Sequence, residues 1–225
     1  MIDWTAVSPS SPKQALFEQF ALVAKTLGHP QRLEIIEQLG QGPRSVDRLA
    51  EKLGLPIANV SQHLQNMRRA GLVAAERQGK FIIYRLTGTS VLDAVAALRA
   101  LAEANLAEVD QVVRGYFRER DSLEPVSREE LQARMKDGLV TVLDVRPADE
   151  FALGHVPGAV NLPLAELEER LASIKPGQDV VAYCRGPYCV MSFEAVARLR
   201  EKGIAARRLE GGMPEWIAAG LPTET

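Results

Sequence analysis

The sequence predicts two domains: a mainly helical N-terminal half, and a C-terminal α/β half built on a central parallel sheet. Three observations carry this expectation. A length of 225 residues allows two domains of ordinary size. Apolar residues recur at helical spacing through about residue 118, interrupted only by two strand-like runs. Beyond Asp121-Ser122-Leu123-Glu124-Pro125 the pattern changes to nearly continuous apolar runs, Val140–Val145 and Val180–Tyr183, alternating with helices. Such runs are typical of parallel strands buried on both faces. The expected organisation is a flexible lead-in at 1–12, a first domain at 13–120, a linker at 121–125 and a second domain at 126–225.

The lead-in rests on Ser8-Pro9-Ser10-Ser11-Pro12. Helices are expected at about 13–27, 31–39, 45–53 and 57–70, with Ser45 as an N-cap. Strands at about 72–77 and 80–86 join around Gln78-Gly79, and one long helix runs from about 89 to 118. In the second half, Val126 starts a short strand. Ser127-Arg128-Glu129-Glu130 forms a capping box. Ala205–Leu209 is a weaker third strand, and helices fall at about 164–172, 192–202 and 213–219. The chain has no internal repeat and no low-complexity tract.

Composition narrows the function. At 46% hydrophobic residues the chain can bury a core, yet it has no apolar run of membrane-spanning length. Met1-Ile2-Asp3-Trp4 lacks the start of a signal peptide, so a cytoplasmic location and no membrane partner are expected. The net charge of −2 is unevenly spread: residues 1–120 carry 15 Lys/Arg against 12 Asp/Glu, and 121–225 carry 12 against 17. Residues 44–85 hold eight Lys/Arg and three Asp/Glu, a local +5 that suggests a nucleic-acid face. The two cysteines, Cys184 and Cys189, share one six-residue loop, which excludes a disulfide framework. Their clustering points to chemistry. Two small buried hydrophobes are the alternative, weakened by Gly186 and Pro187 between them.

Ser45–Leu53 is an amphipathic helix, Gly54-Leu55-Pro56 a tight break, and Asn59–Arg69 a helix with two faces. Val60, Leu64 and Met67 point one way; Asn59, Ser61, Gln62, His63, Gln65 and Arg69 supply hydrogen-bonding groups elsewhere. That is a helix-turn-helix arrangement, with polar side chains for base edges and cations for phosphates. The hairpin carrying Arg77, Gln78, Lys80 and Arg85 forms a wing. A helical bundle with a solvated basic face is the plain alternative. Leu27-Gly28-His29-Pro30-Gln31-Arg32-Leu33-Glu34-Ile35-Ile36, Val60-Ser61-Gln62-His63-Leu64 and Ala70-Gly71-Leu72-Val73 resemble the ArsR-type winged-helix repressors across about 13–118. The resemblance implies a homodimer joined by the first and last helices, bound to double-stranded operator DNA and released by an inducer. Metal-sensing relatives carry paired Cys in the helix matching 45–53, or Asp and His ligands in the last helix. This chain has no Cys before Cys184 and no His between His63 and His155, so no metal and no cofactor are expected. His29 and His155 are expected to pack or cap turns.

Cys184 ends an apolar run and precedes a helical pattern starting near Ser192. A thiol at such a strand end lies in a helix field that favours thiolate, and loop N–H groups beside it can cradle an anion. Leu143-Asp144-Val145-Arg146-Pro147-Ala148-Asp149-Glu150-Phe151, Gly154-His155-Val156-Pro157-Gly158, Tyr183-Cys184-Arg185-Gly186 and Gly211-Gly212-Met213-Pro214-Glu215-Trp216 resemble, in order and spacing, a single-domain rhodanese across about 126–222. The resemblance makes Cys184 the nucleophile that carries a persulfide. It places Asp144, Arg146 and Glu150 as active-site support, and the charge of Arg185 makes it a candidate catalytic group that attracts a small anionic sulfur donor such as thiosulfate, or a thiol. An ion-pair network is the preferred reading of those three. Cys189 can resolve a persulfide into a disulfide. Counted to Ser192, the loop is about two residues longer than in typical sulfurtransferases, and Pro187 removes an N–H. Val190 stands where a phosphatase-like Cys-x5-Arg loop needs Arg. Three function classes remain open: a repressor that senses reactive sulfur, a sulfurtransferase placed on DNA, and a repressor responding to a thiophilic ion such as arsenite. An inactive rhodanese fold used for docking is the alternative for the second half.

Overall fold

The structure, a computed structural model, describes residues 11–118, 124–170 and 178–225. Residues 1–10 of the expected lead-in and 121–123 of the expected linker lie outside the described residues. The chain forms two compact units. The first joins Met1–Ile36 to Arg44–Gly88, and the second joins Glu37–Pro43 to Thr89–Thr225. This division falls earlier than the motif boundary at 121–125, because the segment after Gly88 packs on helices of the C-terminal half, Arg99 pairing with Glu215 and Phe117 packing on Phe193.

In the first unit, α1 (Pro12–Leu27) begins with a capping box between Ser11 and Gln14. Ser11 and Pro12, expected in the lead-in, thus serve as N-cap and first helical residue. There follow α2 (Pro30–Gly40, its last turn belonging to the second unit), β1 (Arg44–Ser45), α3 (Val46–Leu53) and α4 (Ile57–Arg69). Ser45 caps α3 by accepting from Arg48 N at 3.4 Å. Gly54 ends α3 at φ +64°, a left-handed conformation open to glycine, and this sets the sharp turn into α4. β2 (Val73–Gln78) and β3 (Phe81–Leu86) form the antiparallel hairpin, and β1 joins it in the order β1-β3-β2. The core contains Ile35, Ile36, Leu49, Val60, Leu64, Met67 and Val73. Val60, Leu64 and Met67 lie at helical spacing on α4, so their burial fixes which face of α4 stays outside. Each such side chain contributes about 1.5–3 kcal/mol relative to exposure.

The second unit opens with α5 (Ser90–Asn105), α6 (Ala107–Val112) and a π-helical turn, Val113–Arg118. The expected single helix over 89–118 is therefore broken. At Leu106 the backbone becomes extended (φ −110°, ψ 112°). The Asn105 side-chain amide donates to Leu101 O at 2.8 Å, competing with the helical ladder at that end. After α7 (Arg128–Lys136) come β4 (Val140–Asp144), α8 (Ala148–Phe151), β5 (Val160–Asn161), a 3-10 turn (Leu164–Glu166), β6 (Asp179–Tyr183), α9 (Val190–Glu201), β7 (Ala206–Arg208) and α10 (Met213–Ala218). The expected helix at 164–172 is only that 3-10 turn with turns after it, and its end lies outside the described residues. Half of the expected capping box forms. Ser127 accepts from Glu130 N at 3.1 Å. The Glu130 carboxylate goes instead to Arg134 at 2.6 Å and Arg207 at 3.2 Å.

The sheet is parallel in the order β5-β4-β6-β7. Val126 adds a parallel bridge to Leu209. Alternation along β6 sends Val180, Ala182 and Cys184 into one core with Val196 and Leu199, and Val181 and Tyr183 into the other with Met213 and Trp216. Both faces are covered, as the continuous apolar runs required.

Candidate functional site

On the first unit, the residues proposed to read DNA sort by exposure. Asn59, Gln62, Gln65 and Arg69 stand exposed on α4, and Ser61 is half-buried. Gln62 Nε2 and Arg69 Nη1 both reach Asn66 Oδ1, at 3.4 and 3.5 Å, forming a polar row along the helix. Arg77, Lys80 and Arg85 are exposed on the hairpin. His63 departs from the expectation that it faces DNA or solvent. It is half-buried against α2, where Nδ1 accepts from Arg32 Nε at 3.4 Å and Nε2 lies 2.8 Å from Gln31 Oε1. Its ring lies 4.6 Å from that of His29. Burial first, then the nearby His29 and Arg32, hold its pKa below the ordinary 6.5. The neutral ring, accepting at Nδ1 and donating from Nε2, satisfies both contacts. His63 therefore fastens α4 to α2.

On the second unit, β6 delivers Cys184 to the floor of a short loop. Cys184 is fully buried and Cys189 nearly so. The two are joined by a disulfide across a Cα–Cα distance of 6.1 Å. Helix α9 starts at Val190, with Cys189 as its N-cap. The helix thus resumes two residues before Ser192, which removes the loop surplus counted from the sequence. It also puts Cys189, not Cys184, nearest the helix N-terminus. Ser192 Oγ donates to Cys189 O at 2.9 Å, and Met213 N donates to Cys184 O at 3.0 Å, so both ends of the loop are pinned.

Beneath the loop lies a buried ionic network. Arg146 and Asp144 are fully buried. Arg146 Nε and Nη2 meet Asp144 at 3.0 and 2.6 Å. Nη2 also donates to Gly154 O at 2.8 Å, and Nη1 donates to Gln41 Oε1 at 3.0 Å. Burial opposes the Arg146 charge, but the hydrogen bond and charge of Asp144 outweigh it and raise its pKa. Burial and Asp144 together raise the pKa of Tyr183, whose hydroxyl accepts from Val156 N at 3.0 Å. Glu150, fully buried, takes Arg185 in a fork at 2.9 and 2.7 Å. Burial opposes the Arg185 charge too, and Glu150 restores it. Asp144, Arg146, Glu150 and Arg185 are thus brought together as two ion pairs. The charge that Arg185 would offer a free anion is spent on Glu150.

Four residues that touch the loop or its floor were not singled out as site residues from the sequence. Gln41 is half of an amide hub, donating to Arg185 O at 3.3 Å while accepting from Arg146. An amide's partner is set by tertiary packing, so its type alone says nothing. Gly212 lies against the loop so closely that a Cβ there would meet Gly186 N, Cys184 O and Arg185 C. Tyr188 and Phe117 touch at 5.1 Å between ring centroids. Gly212 belongs to a motif already visible, but the close approach depends on a loop almost 30 residues away.

The Rhodanese-like domain family matches residues 127–219, and a Helix-turn-helix domain family matches 27–75. The chain is 40% identical over 215 residues to the HTH-type transcriptional regulator Rv0324 of Mycobacterium tuberculosis, covering 96% of this chain and 94% of that protein. It is 34% identical over 99 residues to a Sulfurtransferase of Allochromatium vinosum, covering 43% of this chain and 91% of the relative. Among solved structures, the homodimeric winged helix-turn-helix DNA-binding domain Mb0332 of Mycobacterium bovis is 34% identical, at a TM-score of 0.41, over 45% of this chain and 94% of that one.

Proposed function

The chain belongs to the HTH-type transcriptional regulators that carry an ArsR-type winged helix followed by a rhodanese-like domain, and we propose that it is a repressor whose sulfur loop takes up reactive sulfur and changes operator binding. It acts in the cytoplasm as a homodimer. The observation that carries the reading is the Cys184–Cys189 bond in a pinned loop of a chain that also exposes a polar face on α4. Leu16, Phe17 and Phe20 on α1, Leu101 on α5, Leu106 at the break after it and Val112 on α6 leave apolar surface exposed where the family resemblance places a dimer contact.

The chemistry has two steps. In the reduced protein, the Cys184 thiolate attacks a terminal sulfane sulfur of a polysulfide. The polysulfide S–S bond breaks, the shortened polysulfide leaves with the electron pair, and Cys184 carries a persulfide. The Cys189 thiolate then attacks Cys184 Sγ and expels hydrosulfide, which leaves the disulfide. Cys184 is the nucleophile and Cys189 the resolving thiol. Asp144, Arg146, Glu150 and Arg185 hold the loop's floor, and Arg185 is engaged with Glu150 rather than a donor. Asn59, Ser61, Gln62, Gln65 and Arg69 face base edges and backbone, while Arg77, Lys80 and Arg85 contact phosphates. Mass spectrometry of reduced protein treated with polysulfide tests the uptake. The expected result is one added sulfur, then its loss as hydrogen sulfide to leave a disulfide two hydrogens lighter than the reduced protein, both absent in Cys184→Ser. Unchanged labelling in that variant would remove Cys184 from the mechanism.

A further inference from the structure

The residue before Cys189 in the loop is tied to the helix that bears the exposed apolar stripe. Tyr188 Oη donates to Glu103 Oε1 on α5 at 2.8 Å. Its ring packs on Phe117 of the π-helical turn at 5.1 Å, and Phe117 in turn packs on Phe193 of α9 at 4.8 Å. Phe117 is therefore held between the loop and the helix that the loop launches. A second chain of contacts returns to the same loop. Glu103 lies 3.7 Å from Arg99, and Arg99 lies 3.3 Å from Glu215 on α10. Glu215 Oε2 accepts from Gly212 N at 3.0 Å, and Gly212 is the residue pressed against Cys184 and Gly186. These contacts close a ring, from the loop through Tyr188, Glu103, Arg99, Glu215 and Gly212 back to the loop.

Resting on the sulfur-sensing reading above, we propose that Tyr188 is the residue through which the sulfur loop sets the position of α5. The bond between Cys184 and Cys189 shortens the freedom of the four residues between them, and Tyr188 is next to one anchor. With the bond present, Tyr188 stays seated on Glu103 and Phe117. With both thiols reduced, the loop gains conformations in which the phenol leaves that seat. The responding element is not one continuous helix: α5 ends in a break at Leu106, and a short helix and a π-helical turn follow it. Leu101, Leu106 and Val112, which form the proposed dimer surface, lie on these elements. The difference in binding energy between the loop's two states is what biases the α5 arrangement. Tyr188 is a positioning residue and takes no part in sulfur transfer.

The test uses full-length protein, reduced with a dithiol or oxidised by polysulfide, and a duplex selected by the wild type from a random pool. In the wild type, the two states differ in duplex affinity by roughly 5–150-fold. In Tyr188→Ala the ratio falls to about twofold or less, while sulfur uptake and disulfide formation by mass remain. Tyr188→Phe, which keeps the ring and loses the bond to Glu103, gives an intermediate ratio. Amides of residues 98–105 exchange hydrogen faster in the reduced wild type than in the disulfide form, and Tyr188→Ala abolishes that difference. A full ratio in Tyr188→Ala overturns the role of Tyr188 and leaves the sensing reading standing. Equal affinities in the wild type overturn both. Should Tyr188→Ala not fold, equal exchange of 98–105 in the two wild-type states overturns the role of Tyr188 by itself.

Discussion

The two compact units handle polar side chains in opposite ways. The first buries an apolar face of α4 and leaves Asn59, Gln62, Gln65 and Arg69 outside, where Gln62 and Arg69 reach Asn66 on the same helix. The second takes Asp144, Arg146 and Glu150 fully inside and satisfies them with Arg185, Gly154 and Gln41. An exposed polar helix face can meet an external partner at little cost. A buried ionic floor cannot; it fixes a loop in place. The first arrangement suits reading, and the second suits holding a reactive group in one geometry.

The largest expected effect breaks the buried side of this contrast. Arg146→Met removes the cation and leaves Asp144 buried without its partner. It should cost about 3–5 kcal/mol of stability, read as a drop in denaturation midpoint. A loss under about 1 kcal/mol would mean that Asp144 reaches water, and that the floor is not sealed. Next in size is Gly212→Ala, whose methyl meets the backbone of the sulfur loop. It should destabilise by about 1–3 kcal/mol and slow sulfur uptake. Unchanged uptake kinetics would show that the loop tolerates displacement.

The exposed side is sharpened by two DNA-binding measurements. Gln62→Ala should relax sequence preference at one base pair, by about 1–3 kcal/mol of discrimination. Lys80→Ala should weaken all sequences alike and reduce the salt slope by about one phosphate contact. If the two variants behave the same way, α4 and the hairpin do not divide the work as base reader and phosphate anchor. The smallest effect is a pH dependence. The folded state holds His63 below its ordinary pKa of 6.5. Its contribution is therefore fully present above the unfolded value and lost as pH falls through the lower folded one. Between about pH 7 and about pH 5 the wild type should lose more thermal stability than His63→Gln. Parallel losses would mean that His63 titrates normally.

The same contrast explains what was legible in the sequence. The two-part fold was readable because binary pattern and turn residues act locally. Val60, Leu64 and Met67 declared the buried face of α4, and the continuous run at Val180–Tyr183 declared a buried strand. The single helix expected over 89–118 failed at Asn105, where one side chain diverts a carbonyl of the ladder. His63 was misplaced for a related reason. A polar residue on a polar face reads as exposed, until a neighbouring helix brings Gln31 and Arg32 to it. In the sulfur loop the residue types were all visible. Their pairing was not, because the partners of Arg185 and Arg146 come from positions 35 and 105 residues away.

The most direct test of the central claim is a set of operator titrations at fixed salt on three forms of the full-length protein: reduced, persulfidated at Cys184, and oxidised between Cys184 and Cys189. The account predicts that the reduced and disulfide curves separate by roughly 5–150-fold, with loss of the separation in Cys184→Ser. Three superimposable curves would contradict it, and would make the rhodanese-like domain a passenger on a DNA-binding protein.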